Sequence, residues 1–225
     1  MIGWDILIID NSASMSLNKK DIVEGFNNLL SQQQKENSTN LFTVISFNDT
    51  VELFKEGKFT DISEIDYDEI ITKGKTALFD AVGEVYDMIL DDYYIYKNIT
   101  LTVITDGKEN SSEKYTIQKL NEKKKLIDEK QFTFKMVFIG ADISCITESE
   151  LNTHSSQNVD CSGDIKEALK IASETMSSSR EGSQYTPEGI VDINSVEQCV
   201  MKRSFSLSDE IPTKVKRCKT TQAQS

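Results

Sequence analysis

The chain has 225 residues, of which 37 are acidic and 25 basic, for a formal net charge of -12 and a pI of about 4.6. A hydrophobic content of 38% beside 28% charged residues argues against wholesale disorder, and the acidic balance argues against general nucleic-acid binding, which needs a basic face. With a single histidine, His154, there is no stock for His-centred catalysis or a multi-His metal cage, so any metal binding or catalysis must rest on oxygen.

The N-terminal run Met1-Ile2-Gly3-Trp4-Asp5 has no basic leader and is cut by Asp5 and Asp10, so Trp4–Asp10 (WDILIID) reads as a strand and not a signal peptide. Residues 18–34 carry Ile22, Phe26, Leu29 and Leu30 at helical spacing. The next strand is Leu41–Phe47 (LFTVISF), followed by Asn48-Asp49, a pair suited to a tight hairpin, and a short antiparallel strand at 51–54. Residues 76–90 place Leu78, Ala81, Val82, Val85, Met88 and Ile89 on one helical face. Then come a strand at 99–105 (ITLTVIT), a helix at 113–130 with Lys123-Lys124-Lys125 on its solvated side, and a strand at 132–139 (FTFKMVFI). A weak strand near 158–161 and a helix at 164–176 complete the series.

These strands are β-branched, short and nearly continuous in their hydrophobicity, as strands covered on both faces are. Alternation with helices predicts an α/β sandwich whose mainly parallel sheet has about six strands, with one short antiparallel strand at its edge and helices on both faces. Beyond Met176 the pattern stops. Ser177-Ser178-Ser179-Arg180-Glu181-Gly182-Ser183 reads as a linker, so the domain is expected over 1–178 and a mostly disordered, locally basic tail over 179–225. The cysteines Cys145, Cys161, Cys199 and Cys218 form no C-x-x-C pair and read as reduced thiols. No run approaches the ~20 apolar residues of a membrane span. Together these features place the protein in the cytoplasm, with nuclear entry through the basic tail as the variant.

Three segments follow strands or precede a helix, where open α/β sheets build their sites. They are Asp10-Asn11-Ser12-Ala13-Ser14, the stretch Gly74-Lys75-Thr76-Ala77-Leu78-Phe79-Asp80-Ala81, and Thr105-Asp106-Gly107. Hydroxyls from Ser12, Ser14 and Thr76 with carboxylates from Asp10 and Asp106 form an all-oxygen set of the kind that hard cations such as Mg²⁺ take. If neutral hydroxyls coordinate directly and the aspartates act through water, the ion stays electrophilic and seeks a carboxylate from outside the protein. For each residue taken alone the plain reading is structural, with Asp10 and Asp106 as strand-end caps and Thr76 as a helix N-cap. Asp80 reads as structural, and His154 as a surface residue.

In order and context these segments resemble the metal-ion-dependent adhesion site of von Willebrand factor type A (vWA) domains, over roughly residues 1–178. The resemblance implies Ser12, Ser14 and Thr76 as direct ligands of Mg²⁺ (or Mn²⁺), Asp10 and Asp106 acting through water, and an acidic residue of a protein partner completing the shell. It implies a binding module and not an enzyme; the acidic charge and the lack of a long apolar run already argue against nucleic-acid and membrane partners. The alternative is a Mg²⁺-dependent phosphohydrolase on a similar sheet, although Ser12 stands where a D-x-D loop would carry its second Asp and no Gly-rich phosphate cradle is present. A third reading is a vWA scaffold that packs against its partner without metal. Residues 1–178 hold 18 basic and 31 acidic residues, or -13, so a partner is expected to be basic or neutral around its carboxylate.

Overall fold

The computed structural model describes residues 2–36, 38–106, 108–140, 156–159 and 164–181. Among the described residues the strands and α-helices are β1 (Ile2–Asp10), α1 (Lys19–Lys35), β2 (Leu41–Phe47), β3 (Val51–Lys58), α2 (Leu78–Asp92), β4 (Tyr96–Thr105), α3 (Ile117–Asp128), β5 (Thr133–Gly140), β6 (Ser156–Val159) and α4 (Ile165–Glu181). They form one six-stranded sheet in the order β3-β2-β1-β4-β5-β6. Only the β2–β3 pair is antiparallel, and it carries a register shift between Val44 and Ile45. The expected mixed sheet with its antiparallel edge is therefore present, and the sixth strand is short.

Why the inner strands read as continuous apolar runs is visible in their burial. In β1 every residue from Gly3 to Asp10 is buried, and all seven residues of β2 are. Alternate side chains serve opposite layers. Trp4, Ile6 and Ile8 pack with Leu78, Val82, Val85 and Ile89 of α2 and Leu120 and Ile127 of α3. Leu7 and Ile9 pack with Ile22, Phe26 and Leu30 of α1 and Ala168, Leu169 and Ala172 of α4. Burial of each such side chain contributes roughly 1.5–3 kcal/mol. α1 and α4 approach closely at Gly25, where an added Cβ would meet Leu169 at 2.7 Å. Trp4 is fully buried, and its indole N–H donates to Thr43 Oγ1 at 2.8 Å.

Three expectations change. Of Lys123-Lys124-Lys125, expected on a solvated side, Lys124 is buried in α3, its ammonium paired with Asp128 at 2.5 Å. The edge strand β3 continues four residues past Phe54, to Lys58; all eight of its residues are half-buried, so it shows none of the apolar run that marks a central strand. The serine-rich stretch at 177–181 is not the start of a linker but the last turn of α4. Serine is an indifferent helix former, and tertiary bonds hold this turn. Ser177 Oγ donates to Glu36 Oε2 at 2.7 Å, and Arg180 reaches both Glu36 (2.5 Å) and the buried Asp5 (3.6 Å). The expected tail beyond Glu181, the basic patch within it, His154 and the four cysteines lie outside the described residues.

Candidate metal centre

The sheet order reverses direction between β1 and β4: from β1 the chain moves to β2, and from β4 to β5 on the other side. At such a point the loops leaving two adjacent parallel strands diverge and open a crevice at their carboxyl ends. Asp10 ends β1 and Thr105 ends β4, so D-x-S-x-S and the Thr105-Asp106 pair meet there.

Asp10 forms the floor. It is fully buried, and both its oxygens are engaged: Oδ1 accepts the Ser12 N–H at 2.7 Å, and Oδ2 accepts the Thr105 hydroxyl at 2.6 Å. The Ser12 bond bends the chain sharply after β1, as Asp side chains do when they bond their own backbone two residues on. A short 3-10 turn over Ala13–Asn18 follows. Above Asp10, Ser12 Oγ and the exposed Ser14 Oγ lie 2.9 Å apart, and Ser14 donates to Asp106 Oδ1 at 2.7 Å. Asn18 Nδ2 approaches Asp106 Oδ2 at 3.5 Å. Four of the five expected residues are thus linked by hydrogen bonds from buried floor to exposed rim, the Asp10–Ser12 link through the backbone N–H and the others through side-chain oxygens.

The segment carrying Thr76 is tied to the D-x-S-x-S turn through its backbone, not through the Thr76 hydroxyl. Ala13 N–H donates to Gly74 O at 3.2 Å and Lys73 N–H to Asn11 O at 2.9 Å, tying the segment before α2 to the D-x-S-x-S turn. Gly74 has φ 73°, a left-handed conformation that glycine adopts without steric cost. On the other side Thr76 N–H donates to Asn110 Oδ1 and Asn110 N–H to Thr76 O, both at 3.0 Å. Thr76 is buried and precedes Ala77, the N-cap of α2, so it is not the helix cap of the structural reading.

Asp80 behaves as expected of a structural residue, accepting the N–H groups of Glu113, Lys114 and Tyr115 at 2.8–3.0 Å. Glu109 does similar work, accepting the N–H groups of Phe79, Ser111 and Ser112. Sequence reasoning missed Thr105, Asn18 and Asn110. Thr105 carried a signal, since it adjoins Asp106 at a strand end; Asn18 and Asn110 carried none.

Burial pushes the Asp10 carboxyl above its ordinary pKa, and the charge of Asp106 adds to this. The Thr105 and Ser12 hydrogen bonds pull the other way without winning. A buried carboxylate with a second one nearby favours a counter-charge. Among the described residues no three His, Cys, Asp or Glu side chains cluster as a metal site. The oxygens gathered at the crevice are two carboxylates and two serine hydroxyls, the chemistry that a hard, oxygen-seeking cation would take.

No family model and no curated protein matches the sequence. Solved structures do share its fold. The pilus adhesin SpaC from Lactobacillus rhamnosus GG, in its open conformation, aligns with TM-score 0.55 at 14% identity, over 78% of this chain and 30% of the adhesin. A von Willebrand factor type A structure from Catenulispora acidiphila aligns with TM-score 0.55 at 16% identity, over 79% and 42%. The SpRpn10 VWA domain aligns with TM-score 0.51 at 12% identity, over 85% of this chain and 100% of that one. The chain spans less than half the length of the first two structures. At these identities the likeness is one of fold, and the fold is that of a vWA domain.

Proposed function

We propose that the protein is a non-enzymatic, cytoplasmic binding module that captures an acidic side chain of a partner protein through a bound divalent cation. Ser12, Ser14 and Thr76 would hold Mg²⁺ (or Mn²⁺) directly, with Asp10 and Asp106 acting through water. The cation supplies an electrophilic centre with coordination open to an outside carboxylate. The observation that carries this reading is the hydrogen-bonded run of Ser12 Oγ, Ser14 Oγ and Asp106 Oδ1, set on the buried Asp10 carboxylate that holds the Ser12 backbone N–H. The fold supports it in general terms, since two of the similar structures are a pilus adhesin and the SpRpn10 VWA domain.

The chain's own residues have separate tasks. Asp10 holds the turn that presents Ser12, and Thr105 fixes the Asp10 carboxylate. Asp106, half-exposed at the rim, orients Ser14. Titration calorimetry with Mg²⁺ and Mn²⁺ on the wild type and Ser12→Ala tests the proposal. Saturable binding by the wild type, reduced at least tenfold in a folded Ser12→Ala, is expected. Absence of heat and of any Mg²⁺-induced shift in melting temperature would sink the metal and leave the metal-free scaffold. Mg²⁺-dependent turnover of p-nitrophenyl phosphate would favour the enzyme.

A further inference from the structure

Within the D-x-S-x-S turn, Asn11 carries a side-chain oxygen that is buried without a hydrogen bond, on a residue only 6% exposed. Its backbone is fully engaged, the N–H donating to Phe47 O at 2.7 Å and the carbonyl accepting the Lys73 N–H at 2.9 Å. Buried polar groups in folded proteins are nearly always paired, so this acceptor selects a hydrogen-bond donor.

Asn11 lines a cavity of about 60 Å³, room for a few water-sized groups. Ser46 and Glu52 lie on the same wall; they are cross-strand partners in β2 and β3, which puts their side chains on one face. Glu69 and Lys73 are the other charged residues there. The charges near the cavity do not by themselves choose an occupant. Lys55 neutralises Glu69 at 2.8 Å, Glu52 and Lys73 offset each other, and Asp10 and Asp106 next door are matched by a divalent cation when one is bound. Yet among the described residues Glu52 has no cation within ion-pair distance, and it accepts only the Thr50 hydroxyl, at 3.5 Å. A carbonyl, a carboxylate and a serine hydroxyl on three residues thus offer acceptors to one small space.

We infer that this cavity holds the ammonium group of a lysine from a partner protein, bound by Asn11 Oδ1, Glu52 and Ser46. Three acceptors on separate residues suit a tetrahedral ammonium with its three donors better than a guanidinium, whose planar fork matches a single carboxylate. Phe54 gives the methylenes behind the ammonium an apolar wall. The charge of -13 over residues 1–178 favours a basic group at long range. The inference rests on the metal-capture reading for the partner's acid, and it adds a lysine beside that acid.

Heteronuclear NMR spectra of the full chain titrated with propylammonium chloride, in EDTA and again in Mg²⁺, test the cavity. The Asn11 side-chain amide and the Glu52 backbone amide should shift saturably, and Glu52→Gln and Asn11→Ala should each weaken binding roughly threefold or more. Both variants keep the Asn11 backbone bonds, and melting curves check that they fold. Potassium chloride and tetramethylammonium chloride at equal ionic strength bring charge without N–H donors and should leave these signals in place. Equal shifts with either salt, or none with propylammonium, would overturn the inference. Blocked peptides that join a lysine to an aspartate through glycine spacers of increasing length test the link to the centre. In Mg²⁺ one spacer length should bind about fivefold or more tightly than its norleucine counterpart by calorimetry; no such length would overturn the partner lysine. Propylammonium binding by a chain that takes no Mg²⁺ would uphold the cavity and sink the metal reading, whereas Mg²⁺ binding without an ammonium-specific shift would do the reverse.

Discussion

The carboxylate of Asp49 occupies the space that a Cβ on Gly74 would need, and the same carboxylate accepts the backbone N–H of Lys75 at 2.7 Å. The β2–β3 hairpin thus clamps the segment that delivers Thr76, through a contact only glycine permits. In Gly74→Ala the left-handed φ costs roughly 1–2 kcal/mol, and Asp49 must also give way. The expected result is a loss of about 2 kcal/mol in urea unfolding, together with weaker Mg²⁺ binding by calorimetry. Unchanged values for both would show that the clamp is dispensable.

Thr105→Val keeps the shape of the side chain but leaves Asp10 Oδ2 buried without its 2.6 Å donor. The expected cost is about 1–3 kcal/mol. The lost bond favours the ionised form, so its removal raises the Asp10 pKa further. The deficit should therefore be larger at pH 8 than at pH 5, which chemical denaturation at the two pH values measures.

Asp106 is half-exposed, and its removal leaves the core intact. Asp106→Asn should shift stability by less than about 0.5 kcal/mol while weakening Mg²⁺ binding roughly tenfold or more, since one of two carboxylates is gone. Calorimetry beside a melting curve separates the two effects. A large loss of stability with unchanged metal affinity would make Asp106 structural.

At the opposite end of β1, burial pushes Asp5 up to about 6 against hydrogen bonds from Asn40 and Thr100 and the charge of Arg180, all of which lower it. A carboxyl raised in the fold contributes stability that is present below the unfolded value of 3.8 and lost as pH rises through about 6. Two pH units correspond to about 3 kcal/mol. Glu36 beside it runs the other way, with a lowered pKa and stability lost on acidification. The comparison of wild type with Asp5→Asn isolates the first group. The variant should lack this fall in stability between pH 4 and pH 7.

Arg180→Met removes the partner of Asp5 and leaves a buried carboxylate unpaired, at a cost of about 3 kcal/mol. The loss should be greater at pH 8 than at pH 5 and should largely vanish in an Asp5→Asn background, a double-mutant cycle that reads the coupling directly. A cycle with no coupling would mean that Arg180 holds α4 through Glu36 alone.

The layered α/β order was legible because strands buried on both faces lose the period-two alternation and stand out as apolar runs, as β1 and β2 do. Order along the chain was enough to bring Asp10, Ser12, Ser14 and Asp106 into one constellation, since parallel strands deliver their carboxyl ends to the same edge. Elements held by long-range contacts left no such trace. The last turn of α4 is serine-rich and polar, and it is helical because Glu36 and Asp5, far away in sequence, anchor Ser177 and Arg180. Asn18 and Asn110 join the site only through atoms that folding brings near. Charge divides in the same way: composition determined that the protein is acidic, but only tertiary structure decided that Asp49 and Glu109 are taken up by backbone N–H groups while Lys73 and Lys75 stay exposed. Net charge sums over the chain, whereas a partner meets the few charges that folding leaves at one surface.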